Sequence, residues 1–230
     1  MKPLNPAQFE PNPLQNHIFV DGQRGYRDNA GVLSSPDVDG ARKLLDDAGW
    51  KLAGNVRRKD GKPLALRFVV PNGVASSNQI AELVRAMLDG IGVRVDVLSV
   101  PTQEFFKQYI KPGNFELTVF SFIGKPFPIS SNKPSYVSPK PGKNGELDYQ
   151  QNFARIGTPQ IDALFDEATS EFDEQKAIDL ANQIDAAIWS EVHSLTLYQR
   201  PDIAATRSKL ANFGAFGFAS VVYEDIGYTK

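Results

Sequence analysis

Leu64, Leu66, Phe68 and Val70 alternate with other residues and run into Pro71-Asn72-Gly73. A period of two ending in turn residues predicts a half-buried strand over 64–70. Ser76 and Ser77 can cap a helix, in which Ile80, Leu83, Val84, Met87 and Leu88 recur at helical spacing until Gly90. The alternation returns in Val93, Val95, Val97 and Val100 and ends at Pro101. Strand, helix and strand joined by short links predict a βαβ unit, with parallel strands and a right-handed crossover. A second crossover runs from Thr102 through Phe105, Phe106, Tyr109 and Ile110 to Pro112-Gly113, and leads to a third strand over 115–120. The expected product is an α/β sheet holding strands 64–70, 93–100 and 115–120, with helix 77–89 crossing between the first two.

The remaining pattern is more broken. Residues 1–36 are punctuated by Asn5, Pro6, Pro11, Asn12, Pro13, Gly22, Gly25, Asn29 and Gly31, which predicts irregular structure. Only His17-Ile18-Phe19-Val20 reads there as a short strand. Ser35 and Pro36 then suit the N-cap and first position of a helix. Its apolar stripe is Val38, Ala41, Leu44, Leu45 and Ala48, and Gly49 ends it. Residues 50–62 read as a basic hairpin or loop with a turn at Lys59-Asp60-Gly61-Lys62. The stretch 121–158 is the longest without a period, broken by Pro126, Pro128, Pro134, Pro139 and Pro141. Such a loop is either functional or disordered, and its aromatics, Phe122, Phe127, Tyr136, Tyr149 and Phe153, favour order. Thr158-Pro159 opens a helix with Ile161, Leu164, Phe165 and Ala168 on one face. Asp173-Glu174 opens another, carrying Ala177, Leu180, Ala181, Ile184, Ala187 and Ile188, with acidic residues at the positive end of the helix dipole. Leu195, Leu197 and residues 203–206 supply late strands, and 213–228 shows no period.

Composition narrows the classes. The chain has 230 residues, 41% hydrophobic and 23% charged, as a folded soluble protein does. A net charge of -2 gives no electrostatic reason to expect nucleic acid or an anionic membrane as partner. No apolar run approaches bilayer length, and Met1-Lys2-Pro3-Leu4 leads into prolines and polar residues rather than a signal-peptide core. The absence of cysteine excludes disulfides and thiolate metal sites. Catalytic patterns are missing as well: there is no H-E-x-x-H, G-x-S-x-G or Walker A motif. Gly90-Ile91-Gly92 lies between helix and strand, the wrong order for a dinucleotide fingerprint. Asp37-Val38-Asp39-Gly40 lacks calcium-loop spacing. The acidic pairs Asp46-Asp47 and Asp166-Glu167 read as solvated helix faces, and His17 and His193 as separate structural histidines. The expectation is a protein that is not an enzyme, with no catalytic residue, metal or cofactor.

Several segments together resemble a known family. Ser35-Pro36-Asp37 with Ala41-Arg42-Lys43-Leu44-Leu45-Asp46-Asp47-Ala48-Gly49-Trp50 is similar to a helix of the family 5 extracellular solute-binding proteins. These are the oligopeptide, dipeptide and nickel receptors of ABC importers. Asp60-Gly61-Lys62-Pro63-Leu64, Asn78-Gln79-Ile80-Ala81, Leu88-Asp89-Gly90-Ile91-Gly92-Val93-Arg94-Val95, Gly113-Asn114-Phe115-Glu116-Leu117 and Ile161-Asp162-Ala163-Leu164-Phe165-Asp166-Glu167-Ala168 resemble further segments of it, in order, over about 34–200. Asn16-His17-Ile18-Phe19, Tyr26-Arg27-Asp28-Asn29 and Gly124-Lys125-Pro126-Phe127-Pro128 resemble the actinobacterial branch. The resemblance implies an α/β C-terminal lobe of a periplasmic-binding-protein-like fold of the class II or cluster C type, with a mixed sheet flanked by helices. The implied layout is an irregular hinge-side segment 1–33, a ligand-binding lobe 34–207, and a tail 208–230 returning toward an N-terminal lobe absent from this chain. It further implies a monomer that binds a peptide or other small solute and serves an ABC permease. The intact protein would be extracytoplasmic and lipid-anchored.

Ligands of open α/β sheets bind at the carboxyl ends of the strands. Those ends are Asn72-Gly73, Pro101-Thr102 and 121–127, so the expected ligand residues are Asn72, Ser121, Phe122, Ile123, Lys125 and Phe127. Relatives that hold a peptide amino terminus often carry an acidic residue just after the last strand. Lys125 in that neighbourhood suits a carboxylate or another anion better. The alternative reading is a relative that has left transport for a scaffold or regulatory role in cell-envelope assembly. A hydrolase would need a nucleophile and base that the sequence does not show.

Overall fold

The structure is a computed structural model describing residues 12–200 and 203–229, so the irregular structure expected over 1–11 lies outside the described residues. It divides into two compact units, Leu33–Ile123 and the described parts of Met1–Val32 with Gly124–Lys230. The lobe expected over 34–207 is thus shared between them: 124–207 groups with both terminal segments, and 33–123 stands as its own unit.

In chain order, β1 (Asn12–Pro13) comes first, and α1 (Val38–Asp47) opens the 33–123 unit. Asp37, and not Ser35, is the N-cap of α1, its Oδ1 accepting the Gly40 amide at 2.8 Å. The predicted stripe of α1 is not covered. None of its residues is buried and Leu44 is 72% exposed, because the helix is tethered by its last turn instead. That tether is an antiparallel ladder of β2 (Lys51–Ala53), β3 (Val56–Lys59) and β4 (Lys62–Pro63). Asp60 and Gly61, at φ 52° and 75°, form the left-handed two-residue turn between β3 and β4 that matches strand twist. Lys51 Nζ and Lys59 Nζ donate to the Asp46 and Ala48 carbonyls, both at 2.9 Å, at the negative end of α1. Arg57 is buried. Its Nε donates to Ile91 O at 2.7 Å, and its Nη1 to Trp50 O at 2.7 Å and Asp46 Oδ1 at 2.9 Å.

The hydrophobic alternation then builds the main sheet. β5 (Ala65–Pro71) pairs in parallel with β6 (Arg94–Val100) from Ala65↔Arg94 to Pro71↔Val100. On its other side β5 pairs in parallel with β7 (Leu117–Thr118). The strand order is β6-β5-β7, with α2 (Ala75–Asp89) as the first crossover, as the period predicts. One sheet face buries Phe68, Val70 and Val95 with Ala81 of α2, ringed by Ile80, Val84, Leu88, Val97, Leu117 and Val119. The second crossover begins as α3 (Thr102–Glu104) and continues as a π-helix over Phe105–Ile110 that packs on β5. Its wider turn has a packing reason. Phe105 and Ile110 are five apart, and both are buried, at 2% and 0% exposure. The third strand is shorter than the expected 115–120, its register limited to Phe68↔Leu117 and Val69↔Thr118; just before it the Glu116 carboxylate grips the Arg67 guanidinium and amide at 2.8–2.9 Å. That grip holds the Glu116 carboxyl below its ordinary range.

α2 ends on Gly90 in right-handed conformation; the left-handed residue is Gly92, at φ +84°. A β-carbon there would stand 2.7 Å from Leu52 Cδ1 and 3.0 Å from Arg57 Cγ. Gly92→Ala adds this clash to the left-handed strain, so it should cost about 2 kcal/mol or more. A urea midpoint within error of the parent chain would refute this.

The other unit is mainly helical. α4 (Pro128–Tyr136) lies inside the stretch that shows no period, with Pro128 at its first position and Pro134 within it. Two short ladders, β8 (Lys140–Pro141) with β9 (Leu147–Asp148) and β11 (Leu210–Ala211) with β12 (Gly227–Tyr228), are antiparallel. Parallel and antiparallel pairing therefore both occur, in separate small sheets. α5 (Pro159–Ser170) is capped by Thr158 Oγ1 and α6 (Glu174–Ser190) by Asp173 Oδ1, as the sequence predicts. They pack together around Ile161, Phe165, Ala168, Ile178, Ala181, Ile184 and Ile188, joined by Ile18, Phe19, Tyr136 and Val137. His17–Val20 is not a strand. β1 instead pairs antiparallel with β10 (Tyr198–Gln199), and the chain after it bends at His17–Ile18 into the helical core. Residues 203–206 and Leu195 and Leu197 are not strands either. A β-carbon at Gly124 would meet Phe218 at 3.2 Å and Val20 at 3.3 Å, so the early segment and the late tail come together there.

Candidate functional site

At the carboxyl end of the parallel sheet, each strand hands over to a bonded turn. Asn72 N donates to Val100 O at 2.8 Å, joining the ends of β5 and β6, and Gly73 N donates to Thr102 Oγ1 at 3.2 Å. Asn78 of α2 donates to Pro71 O at 3.2 Å and to Val74 O at 3.0 Å, while its Oδ1 accepts from Ser99 Oγ at 3.3 Å. These bonds satisfy the backbone of the strand ends. The Asn72 and Ser121 side chains are left facing solvent.

Rings from the π-helix and from the chain after β7 form an edge-to-face ladder. Centroids are 5.0 Å apart for Phe105–Phe106, 5.4 Å for Phe106–Phe120 and 5.3 Å for Phe120–Phe122. Such contacts favour a fixed geometry over simple greasy packing. The ladder starts in the core at Phe105 and surfaces at Phe122, which is 54% exposed. Asn72 follows β5, and Ser121, Phe122 and Ile123 follow β7, at the carboxyl end of the one sheet. Lys125 and Phe127 belong to the other unit. There the Lys125 carbonyl accepts from Gln23 Nε2 at 3.1 Å, and the exposed Phe127 is the N-cap residue of α4. Two hollows of the surface lie elsewhere, on α2 around Asn78, Gln79, Glu82 and Leu83, and on α5 and α6 around Thr158, Gln160 and Gln183. None of the expected ligand residues lines either one.

A second constellation escapes the sequence reading. His17 and His193 belong to one cluster, each edge-to-face with Tyr136 at 5.7 and 5.0 Å. Burial and then Asp185 push the Tyr136 hydroxyl well above its ordinary range. Burial first, and then the charge of His17, hold His193 down to about 4. No local motif links residues this far apart in the chain; only the fold does. Among the described residues no group of three or more His, Cys, Asp or Glu could hold a metal ion, and no helix is long and apolar enough to cross a membrane.

The fold is periplasmic-binding-protein-like. It is similar to a periplasmic EDTA-binding protein, EppA, with a TM-score of 0.72 at 24% identity, over 83% of this chain and 34% of that one. It is similar also to the oligopeptide-binding protein AppA of Bacillus subtilis, solved with a nonapeptide, with a TM-score of 0.68 at 18% identity, over 95% and 43%. Residues 4–144 match the family described as bacterial extracellular solute-binding proteins, family 5 Middle. The chain belongs to that family. Over 221 residues it is 40% identical to the oligopeptide-binding protein OppA of Mycobacterium tuberculosis, which fits the actinobacterial branch. That alignment takes in 96% of this chain and 36% of the relative, so the chain spans about a third of the relative's length.

Proposed function

We propose that the chain supplies solute-binding surface to an ABC importer, with a peptide or other small solute as ligand and a membrane permease as partner. The intact protein would act outside the cytoplasm as a lipid-anchored monomer. The observation that carries the site is the ring ladder at the carboxyl end of the parallel strands. Phe122 offers a flat apolar face held from behind by Phe120, and the Asn72 and Ser121 side chains offer polar groups at the same end. Such a mixture suits a peptide, whose amides need polar partners and whose side chains need apolar ones. Its family membership and its 40% identity to an oligopeptide-binding protein support the same reading.

The test is calorimetric titration of the full-length protein with a peptide library. Phe122→Ala removes a half-exposed aromatic contact and should weaken binding about tenfold or more, since each 1.4 kcal/mol is about tenfold. Affinity unchanged by Phe122→Ala would remove the ladder from the site. A full-length protein that binds no peptide or small solute would favour the envelope-scaffold role instead.

A further inference from the structure

The cluster around His17 fastens the 12–32 segment to α6, and its proton inventory can be read from its hydrogen bonds. His17 Nδ1 lies 2.7 Å from Asp185 Oδ1 and His17 Nε2 lies 3.0 Å from the Ser194 carbonyl oxygen. A carbonyl oxygen only accepts. Asp185 already accepts the His17 amide on Oδ1 at 2.7 Å and Asn29 Nδ2 on Oδ2 at 2.7 Å, as a carboxylate does. Both ring nitrogens of His17 therefore donate, and the side chain is an imidazolium paired with a fully buried carboxylate.

His193 is held in the opposite state. Asn152 uses its amide nitrogen on Val137 O at 2.9 Å and Ile156 O at 2.6 Å, so its Oδ1 accepts from His193 Nε2–H at 3.0 Å. His193 Nδ1 then accepts from the Ser194 hydroxyl at 3.1 Å, leaving the ring neutral. Ser194 joins the two histidines, its hydroxyl to one and its carbonyl to the other. The groups facing them are Tyr136 from α4, Asp185 and Trp189 from α6 and Asn152 from the loop before α5. Asp185 is the one carboxylate among these, and His17 already uses it.

We propose that this pair is an acid-responsive latch: the 12–32 segment is fastened to α6 while His193 is neutral, and is released when His193 takes up a proton. A proton on Nδ1 finds no acceptor unless the Ser194 hydroxyl turns, and it puts a second cation beside the His17 imidazolium. The sign follows from His193 being held down to about 4 in the latched state, against an ordinary value of about 6.5 when freed. Between those values the freed state binds a proton that the latched state does not, so falling pH favours release.

The chain has two histidines, so ring-nitrogen NMR of the full chain reads each directly. At neutral pH one ring should show two N–H groups and the other an Nε2–H tautomer. On acidification the amides of His17, Ile18 and Phe19, bonded to Asp185 and Asn16, should lose at least about tenfold in exchange protection, corrected for intrinsic rate, in step with His193 protonation. Phe165 and Ile184 in the helical core should keep theirs over the same range. His193→Gln should remove the step, and His17→Gln should move the His193 titration upward. A neutral His17 ring at neutral pH, segment amides that stay protected through the His193 titration, or release in His193→Gln at the parent's pH would each overturn the latch. Should His193→Gln fail to fold, the shift of the His193 titration in His17→Gln decides.

Discussion

Asp185→Ala should be among the most damaging single changes in this chain, lowering stability by about 3–5 kcal/mol. Asp185 is fully buried and accepts from the His17 ring, the His17 amide and Asn29. Truncation strands all three donors and leaves the imidazolium without its counter-charge, and removing one partner of a buried pair costs about that much. Asp185→Asn keeps the shape and one acceptor oxygen, so it should cost less. The measurement is urea unfolding followed through Trp189, which meets His17 edge-to-face at 4.6 Å between centroids. A loss below about 1 kcal/mol would mean that the pair contributes nothing net to holding the segment.

Arg57→Ala is the corresponding test in the other unit, with an expected cost of about 3 kcal/mol. The side chain is 4% exposed and donates to three oxygens on α1, its following turn and the loop after α2. The three acceptors are part-buried, so each left bare costs about 1 kcal/mol, and the stem volume is lost as well. Arg57→Lys should recover little, because one ammonium cannot span the positions that the guanidinium fork reaches. Hydrogen exchange in β2 and β3 should report the damage first. If those strands exchange as in the parent, the arginine is not what ties them down.

How far the sequence reveals this fold depends on how local each signal is. The βαβ unit was legible because Phe68, Val70 and Val95 repeat at the strand period and Ile80, Val84 and Leu88 at the helix period. The capping residues Thr158 and Asp173 were legible for the same reason: each acts within three residues. α4 was hidden by Pro134, which reads as a breaker, and by a sequence with almost no apolar face. The π-helix was hidden because a five-residue repeat of Phe105 and Ile110 is too short to show a period. In α1 the stripe was real but its burial was not, since Arg57 and two lysines hold the helix by its end. The strand ends that form the proposed site were legible, and the ring ladder behind Phe122 emerged only when Phe105, Phe106 and Phe120 were placed together. The histidine cluster could not be read at all. Asn16, His17 and Asn29 look like loop residues until α6 brings Asn182 and Asp185 to them, and Asn152 does until His193 reaches it.

The unit Leu33–Ile123 is continuous, whereas its neighbour is built from chain on both sides of it. On a ribosome the two therefore mature on different schedules. Residues 33–123 hold all the partners their own sheet requires as soon as they emerge. His17 must wait for Asp185, 168 residues later, and meanwhile Ile18 and Phe19 have no apolar surface from α5 and α6 to cover them. Closing so long a loop costs entropy before any contact repays it, which places this step late and makes it slow. Within these 230 residues the early segment is thus a part that needs shielding, and an aggregation-prone intermediate would expose Ile18 and Phe19 rather than the parallel sheet.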